Sequence, residues 1–523
     1  MTNSKRLWIT SLILGIAFDF LFWKKTPGIS FAIYIILCLA AWYLLFKLEK
    51  LEPAQNSLWL LIPIVFFSTM TFIRQDPITL LLNFALTLFL MAVLAVTYIG
   101  GRWILYSISD YASKFFHLII GMLSLPLAPV NHPRHQQKES IERGFTKTAW
   151  QILRGFLLAL PILLIFTILL TSADLIFSQR LNNLINIFKF EKLPEYLFRG
   201  IVILFIAHLL AGALQFSASQ SSNKKLISLN KSVIKPFLGF TEAAIILGSV
   251  LLLFSAFVII QFQYFFSGQA NIAIEGYTYS EYARRGFGEL ITVAVFSLML
   301  LLGLSTITKR ETAGQRKCFS GLIIGLVALV LIILVSAFQR LSLYETAYGF
   351  SRLRTYSHAF MIWLGILLIT AAVLEFLHRQ RIFTNAALLV LLCFTISLNL
   401  LNVDAFIVHQ NINRAIQGRE LDASYLSSLS DDAVSALVKE YSKGTLPHRI
   451  QDGVGAALAC HTAVMKLHAS RLETWQSFHL SHWNAERLLE TVQDTLQDYK
   501  MESDSLPLIV VSPNGIETLC QDY

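Results

Sequence analysis

The sequence predicts an all-α polytopic membrane protein of about 11 transmembrane helices, with a small, mostly α C-terminal domain. Three observations carry this. The 523 residues are 55% hydrophobic and only 14% charged, with a mean hydropathy of +0.60; a soluble protein of this length has roughly a quarter of its residues charged. The apolar residues come in stretches of about 17–25, the length that crosses a ~30 Å hydrocarbon core. The charge is also unevenly divided. Residues 402–523 hold 16 acidic and 9 basic residues, about −7, while the first 401 carry about +16.

The apolar stretches fall at 7–23, 29–46, 57–73, 77–99, 149–170, 200–216, 240–265, 287–306, 319–338, 358–377 and 383–401. Lys5 and Arg6 precede the first, as in a signal peptide. However, Asp19 interrupts that run, no small-residue cleavage site follows, and Lys24-Lys25 closes it, so an uncleaved first span is expected. The segment 103–130 has a short apolar run broken by Pro126 and Pro129 and flanked by Asp110 and Lys114. It reads as interfacial or re-entrant rather than as a span. The expected organisation is a four-span region (1–100), a basic cytoplasmic loop with an interfacial segment (101–148), a seven-span core (149–401) and a soluble extracytoplasmic tail (402–523).

With the N-terminus inside, the inner connections collect 20 Lys and Arg and the outer ones 12. Positive charge accumulates on the cytoplasmic side, so this orientation is the expected one. An odd number of spans then puts the tail outside. The basic balance is a topology signal, and no basic helix or arm stands apart for nucleic acid. The partners implied are the lipid bilayer and a membrane or periplasmic protein.

The five cysteines agree with this layout. Cys38 and Cys393 lie within spans and Cys318 in an inner connection, whereas Cys460 and Cys520 share the tail. An even pair in the one sizeable region assigned to an oxidising compartment suits a disulfide, and two unpaired thiols suit the spacing as well. Within the tail, SDDAVSALVKEYSKG has Ser430 as a candidate N-cap and Lys443-Gly444 as a stop, which predicts a short helix. Residues 448–470 and 481–499 are also expected to be helical, the latter with a stripe of Leu488, Leu489, Val492 and Leu496. LPLIVV followed by Ser-Pro-Asn-Gly predicts a strand and turn near the end.

Three polar stretches share the expected outer face. TSADLIFSQR (171–180) carries Asp174, and SEYARRGFGEL (280–290) carries Glu281, Arg284, Arg285 and Glu289. YETAYGFSRLR (344–354), with Arg340 before it, adds Tyr344, Glu345, Tyr348, Arg352 and Arg354. On a helix Glu281 faces Arg284 and Arg285, and Arg285 faces Glu289. Glu345, Tyr348 and Arg352 fall at i, i+3 and i+7, although Gly349 interrupts that run. Arginine's planar fork suits a carboxylate or phosphate ligand, with tyrosines against its apolar part. The structural reading weighs more: Arg and Tyr at span ends anchor helices, and Glu–Arg pairs tie neighbours together.

Other patterns carry less. HPRH (132–135), HLSH (479–482) and the pair His461 and His468 lack the three or four ligands of a metal site, and surface histidines are the default. His208 and Asn83 lie mid-span, where polar groups either serve function or bond across helices. GLIIG (321–325) is a small-residue pattern of ordinary helix packing. No phosphate-binding loop, dinucleotide fingerprint or nucleophile elbow occurs, and no cofactor is expected.

GFLLALPILLIFTILLTSADLIF, EYARRGFGELITVAV, YETAYGFSRLRTY and NVDAFIVHQNINRAIQGRELDASYLSSLSDDAVSALV resemble successive blocks of a bacterial family of polytopic membrane proteins built on a domain of unknown function. The resemblance runs from about residue 150 to 440. It implies a bacterial cytoplasmic (inner) membrane location and no particular chemistry. Three functions stay open, and the balance leans away from an enzyme. The first is an extracytoplasmic ligand-binding or signalling and accessory module, favoured by the tail and the outer polar stretches. The second is a secondary transporter of a small organic anion. Asp19, Asp174, Glu242, Glu289 and Glu375 all lie near span ends, which disfavours proton coupling. The third is a membrane transferase with a lipid-linked donor, which would need paired outer carboxylates.

Overall fold

The chain is described from a computed structural model covering residues 4–127, 170, 193–221, 236–266, 286–469, 474–502 and 508–520. The membrane-facing part consists of α1 (Ser4–Phe22), α2 (Ile29–Leu48), α3 (Leu61–Ile73, preceded by a short turn Gln55–Leu58) and α4 (Pro77–Thr97). These are followed by α5 (Ile108–Ser124), α6 (Leu193–Gln220), α7 (Phe240–Phe266), α8 (Phe287–Ile307), α9 (Ala313–Tyr348), α10 (Arg352–Phe376) and α11 (Phe383–Leu401). Among the described residues nine helices are long and apolar enough to cross a membrane, namely all but α1 and α5, with Gln55–Leu58 extending α3. Of the eleven expected spans, 149–170 lies outside the described residues apart from Leu170. The first corresponds to α1, which is apolar but carries Lys5, Arg6 and a buried Asp19. Asp19 is held by the guanidinium of Arg199 on α6, so the charge that interrupts the first run is paired rather than exposed to lipid.

Local chemistry sets the helix ends. Pro77 opens α4 at a position where its missing N–H has no partner to lose. Thr312 and Gln315 form a capping box at the start of α9. At 36 residues α9 is about 54 Å long, well beyond the hydrocarbon thickness, so its last turns project from the spans toward the tail. α5 begins with a Ser107–Asp110 capping box and is amphipathic. Phe116, Ile119, Ile120 and Leu123 are exposed on one side, while Tyr111, Leu118 and Gly121 are buried against α4 and α6.

Hydrophobic packing forms three main units. One joins α1–α5 with the lower part of α6, and a second joins α7–α10 with the start of α11. α6, expected with the seven-span core, therefore packs with the first four spans. The third unit is the tail, centred on Ile407, Val434, Leu437, Val454 and Leu458. The tail comprises α12 (Val403–Ile416), α13 (Ala423–Ser427), α14 (Val434–Ser442), α15 (His448–Ala469), α16 (Leu480–Val492) and strands β1 (Lys500–Glu502), β2 (Ile509–Val511) and β3 (Glu517–Leu519). The strands form one antiparallel sheet in the order β1-β2-β3. The tail is thus mostly α, with three paired strands where the sequence announces one.

The connections at 23–28, 74–76 and 349–351 all touch the tail. Those at 98–105, 236–238, 308–312 and 377–382 meet one another on the opposite face.

Candidate functional site

The stretch 344–354 is where α9 ends and α10 begins, and it grips the tail. Gly349 terminates α9 at φ +87°, and Arg352 opens α10. Arg352 forms a bidentate pair with Asp404 of α12, Nε to Oδ1 at 2.8 Å and Nη2 to Oδ2 at 2.7 Å. Asp404 is fully buried and also accepts from the backbone N–H and hydroxyl of Ser430, at 2.8 and 2.6 Å. That hydroxyl was the expected helix cap and serves the carboxylate instead. The Arg352 N–H donates to the Tyr425 hydroxyl at 2.8 Å.

Two further tail residues read the same turn through its backbone. Asn411 accepts from Phe350 N–H at 2.7 Å and donates to Phe350 C=O at 3.0 Å. Arg414 donates to the carbonyls of Thr346 and Ala347 at 3.2 and 3.1 Å, satisfying orphan acceptors at the end of α9. Arg354 donates to Gly349 C=O and lies over the Tyr344 ring at 4.1 Å. Glu345, 1% exposed, faces His358 Nδ1 at 3.3 Å, and His358 stacks on Phe338. A Cβ on Gly349 would sit 2.9 Å from Asn411 Oδ1, in a backbone region open to glycine. Gly349→Ala is expected to cost about 2–3 kcal/mol of tail stability, read as a lower unfolding midpoint in denaturant.

The loop between α3 and α4 makes a second grip. Asp432 accepts from Gln75 N–H at 2.8 Å, Asp76 N–H at 3.3 Å and the Ser481 hydroxyl at 2.9 Å, with Arg74 at 3.7 Å. Arg74 also donates to Asn399 C=O at 2.9 Å. A third contact joins Ile29 N–H to Phe478 C=O at 2.9 Å. There Gly28 leaves no room for a side chain, since a Cβ would lie 2.6 Å from that carbonyl oxygen.

Buried charge concentrates at this junction. Among the described residues, Asp76 (2% exposed), Asp404 and Asp432 face two arginines, Arg74 and Arg352. Burial, with the neighbouring carboxylates of Asp404 and Asp432, pushes Asp76 up from 3.8 to about 6. Burial raises Asp432 as well. A raised folded-state pKa means that the docked tail binds a proton which the free chain releases between about 3.8 and 6. This contribution therefore weakens docking as pH rises through about 6, by at most about 3 kcal/mol for a shift of about two units. Buried His461 is pushed down and works in the opposite sense, losing stability as pH falls below its ordinary 6.5. Asp76→Asn is expected to stabilise docking at neutral pH and to flatten the rise in stability on acidification. Denaturant midpoints measured at about pH 5 and pH 7.5 check this; an unchanged difference would exclude Asp76.

Of the residues singled out in the sequence, Arg352, Arg354, Tyr344 and Glu345 are brought together here. Arg340 lies against the backbone of Gly286. Glu289 is exposed and sits outside the junction, whereas Tyr348, also exposed, packs edge-on against Tyr344 with ring centroids 4.9 Å apart. Asp174, Glu281, Arg284 and Arg285 lie outside the described residues. Cys460, in α15, and Cys520, after β3, are joined as a disulfide with Cα atoms 5.3 Å apart. Asn83 and Asn399 exchange amide hydrogen bonds between α4 and α11 at 2.8 and 3.0 Å, and His208 bonds Leu123 C=O at 2.9 Å. Both mid-span polar groups thus hold helices together. His482 meets Asp431 at 2.7 Å and His479 meets Pro27 C=O at 3.1 Å. Among the described residues no three His, Cys, Asp or Glu are arranged to hold a metal.

The residues that sequence reading missed are Arg74, Asp76, Asp404, Asp432, Asn411 and Arg414. Asp404 had a local signal, an acid three residues beyond the last span. For the others nothing in the local pattern marks a partner more than 60 positions away.

A long apolar helix set capped by a charged, disulfide-linked tail defines a polytopic helical membrane protein with one appended domain. Residues 61–440 match the family model described as Domain of unknown function (DUF4153), and the chain belongs to that family. The match starts well before residue 150, so it takes in α3 and α4, which the sequence blocks alone left outside. No curated protein and no solved structure matches the chain.

Proposed function

We propose that this protein is a membrane-anchored binding or signalling module of the bacterial inner membrane. Its tail lies on the extracytoplasmic side and couples to the spans through the buried junction. The observation that carries the reading is the pairing of Arg352 with Asp404 and of Asp432 with residues 74–76. Charges buried between two bodies are a costly way to stabilise them and an effective way to define one docked arrangement. Because Asp76 sits among them with a raised pKa, a proton or a ligand cation shifts the docked population. The outward tail is supported by the excess of Lys and Arg on the opposite connections and by the disulfide, which belongs in an oxidising compartment.

The transporter and transferase readings find less support. The two buried acids near the span ends are paired, Asp19 with Arg199 and Glu375 with Arg310, while Glu242 and Glu289 are exposed at theirs. The tail-side carboxylates Asp404, Asp432 and Glu345 are each held by cations, N–H groups or histidine rather than facing an open cavity.

Two experiments test the proposal. Alkaline phosphatase fused at the C-terminus is expected to be active and a fluorescent protein dark; the reverse places the tail inside and ends the reading. A photo-crosslinking residue at exposed Trp483 is expected to join the tail to a second membrane or periplasmic protein in intact cells, and Arg352→Ala to remove that adduct. Saturable organic-anion uptake by proteoliposomes, retained in Arg352→Ala, would favour the transporter.

A further inference from the structure

On the face opposite the tail, an open cavity of about 1080 Å³ lies between the ends of α8 and α10 and the start of α9. Its walls carry Lys309, Arg310, Arg316, His378, Arg379 and Arg381, with Glu311 and Glu375. Glu375 is buried and already engaged: Arg310 pairs with it, and the Ser305 hydroxyl donates to it at 3.1 Å. Arg310 is fixed further by donating to Ser305 C=O at 2.7 Å and by lying over the Phe319 ring. That neutral pair forms the back of the cavity. In front of it Lys309, Arg316, Arg379 and Arg381 are exposed and form no ion pair with any described residue. Among the described lining residues Glu311 is the only other acid, which leaves them a surplus of three positive charges.

We propose that this cavity binds a phosphate-bearing anion, first of all the headgroup of an anionic phospholipid. Four cations from two separate segments, 309–316 and 379–381, converge on one concavity, and low-dielectric walls focus their field there. Arginine forks at 316, 379 and 381 match phosphate oxygens in geometry as well as charge. The apolar residues Leu105, Pro236 and Ile382 line the same cavity and give an acyl chain somewhere to lie. Basic pockets between membrane helices bind such headgroups, at about 1 kcal/mol per cation near the surface. Ordinary topology-setting charge needs no cavity; Lys47 and Lys50 share this face and lie outside this cavity.

The purified full chain in phosphatidylcholine nanodiscs tests this, with phosphatidylglycerol added in one series and inorganic pyrophosphate in another. Native mass spectrometry counts bound molecules and thermal shift reports affinity. Wild type is expected to retain phosphatidylglycerol, and Arg379→Gln with Arg381→Gln to weaken retention about tenfold or more. Lys47→Gln with Lys50→Gln is expected to change it less than about twofold. Lys309→Gln with Arg316→Gln probes the same cavity should the first pair not fold. Pyrophosphate binding with the same dependence, and no lipid retention, assigns the site to a soluble phosphate compound. Equal losses from the cavity and control pairs, or no dependence with either probe, would overturn the proposal.

Discussion

Arg352→Ala is expected to destabilise the docked tail by about 3–5 kcal/mol, the cost of leaving one member of a buried ion pair uncompensated. The burial is complete on the acidic side: Asp404 is 0% exposed and holds both forks of the guanidinium. Ser430 continues to donate two hydrogen bonds after the substitution, which keeps the loss toward the lower end of that range. Hydrogen exchange at residues 350–352 and 425–432, measured in nanodiscs, reads the effect as lost protection. The paired change Arg352→Met with Asp404→Asn removes both charges and is expected to recover most of the loss, since the penalty lies in the orphaned carboxylate. Recovery would identify the pair as a device that selects one arrangement of tail and spans. A single variant with full protection would show that the tail docks without it, and the coupling proposed above would fail.

Cys460→Ser is the second large effect. The disulfide closes a sequence separation of 60 residues, and a loop of that length corresponds to about 4 kcal/mol of denatured-state entropy. It ties the strand end at Cys520 to α15, whose neighbours Ala456, Ala457, Leu458 and Ala459 form the centre of the tail core. Reduction of the native protein and the Cys460→Ser substitution are expected to lower the tail's denaturant midpoint to the same extent, while α1–α11 retain their helicity. A midpoint that ignores reductant would mean that the core alone holds the tail.

The membrane architecture was legible in the sequence because it depends on quantities that add along the chain. A run of about 20 apolar residues has one low-energy arrangement in a bilayer, so ten of the eleven expected spans coincide with described helices. Three of the five tail helices, α14, α15 and α16, were legible for a similar reason: caps, stop signals and the 3.6-residue stripe are local. In contrast, α12 and α13 were not expected, and α16 ends at Val492 rather than at 499. The patch at 344–354 was recognisable as unusual, since two tyrosines, an acid and two arginines interrupt an apolar chain.

What the patch holds was decided only in three dimensions. Arg352 meets Asp404 across 52 positions, Asn411 meets Phe350 across 61, and Gln75 meets Asp432 across 357. Local pairing rules suggested Glu345 with Arg352 on one helix; Gly349 ends that helix and turns the arginine toward the tail instead. The grouping of α6 with the first four spans is equally non-local, resting on Asp19 and Arg199. Span positions follow from transferring each segment into lipid one at a time. Partner choice depends on which buried charges finally face each other, and that is a property of the assembled fold.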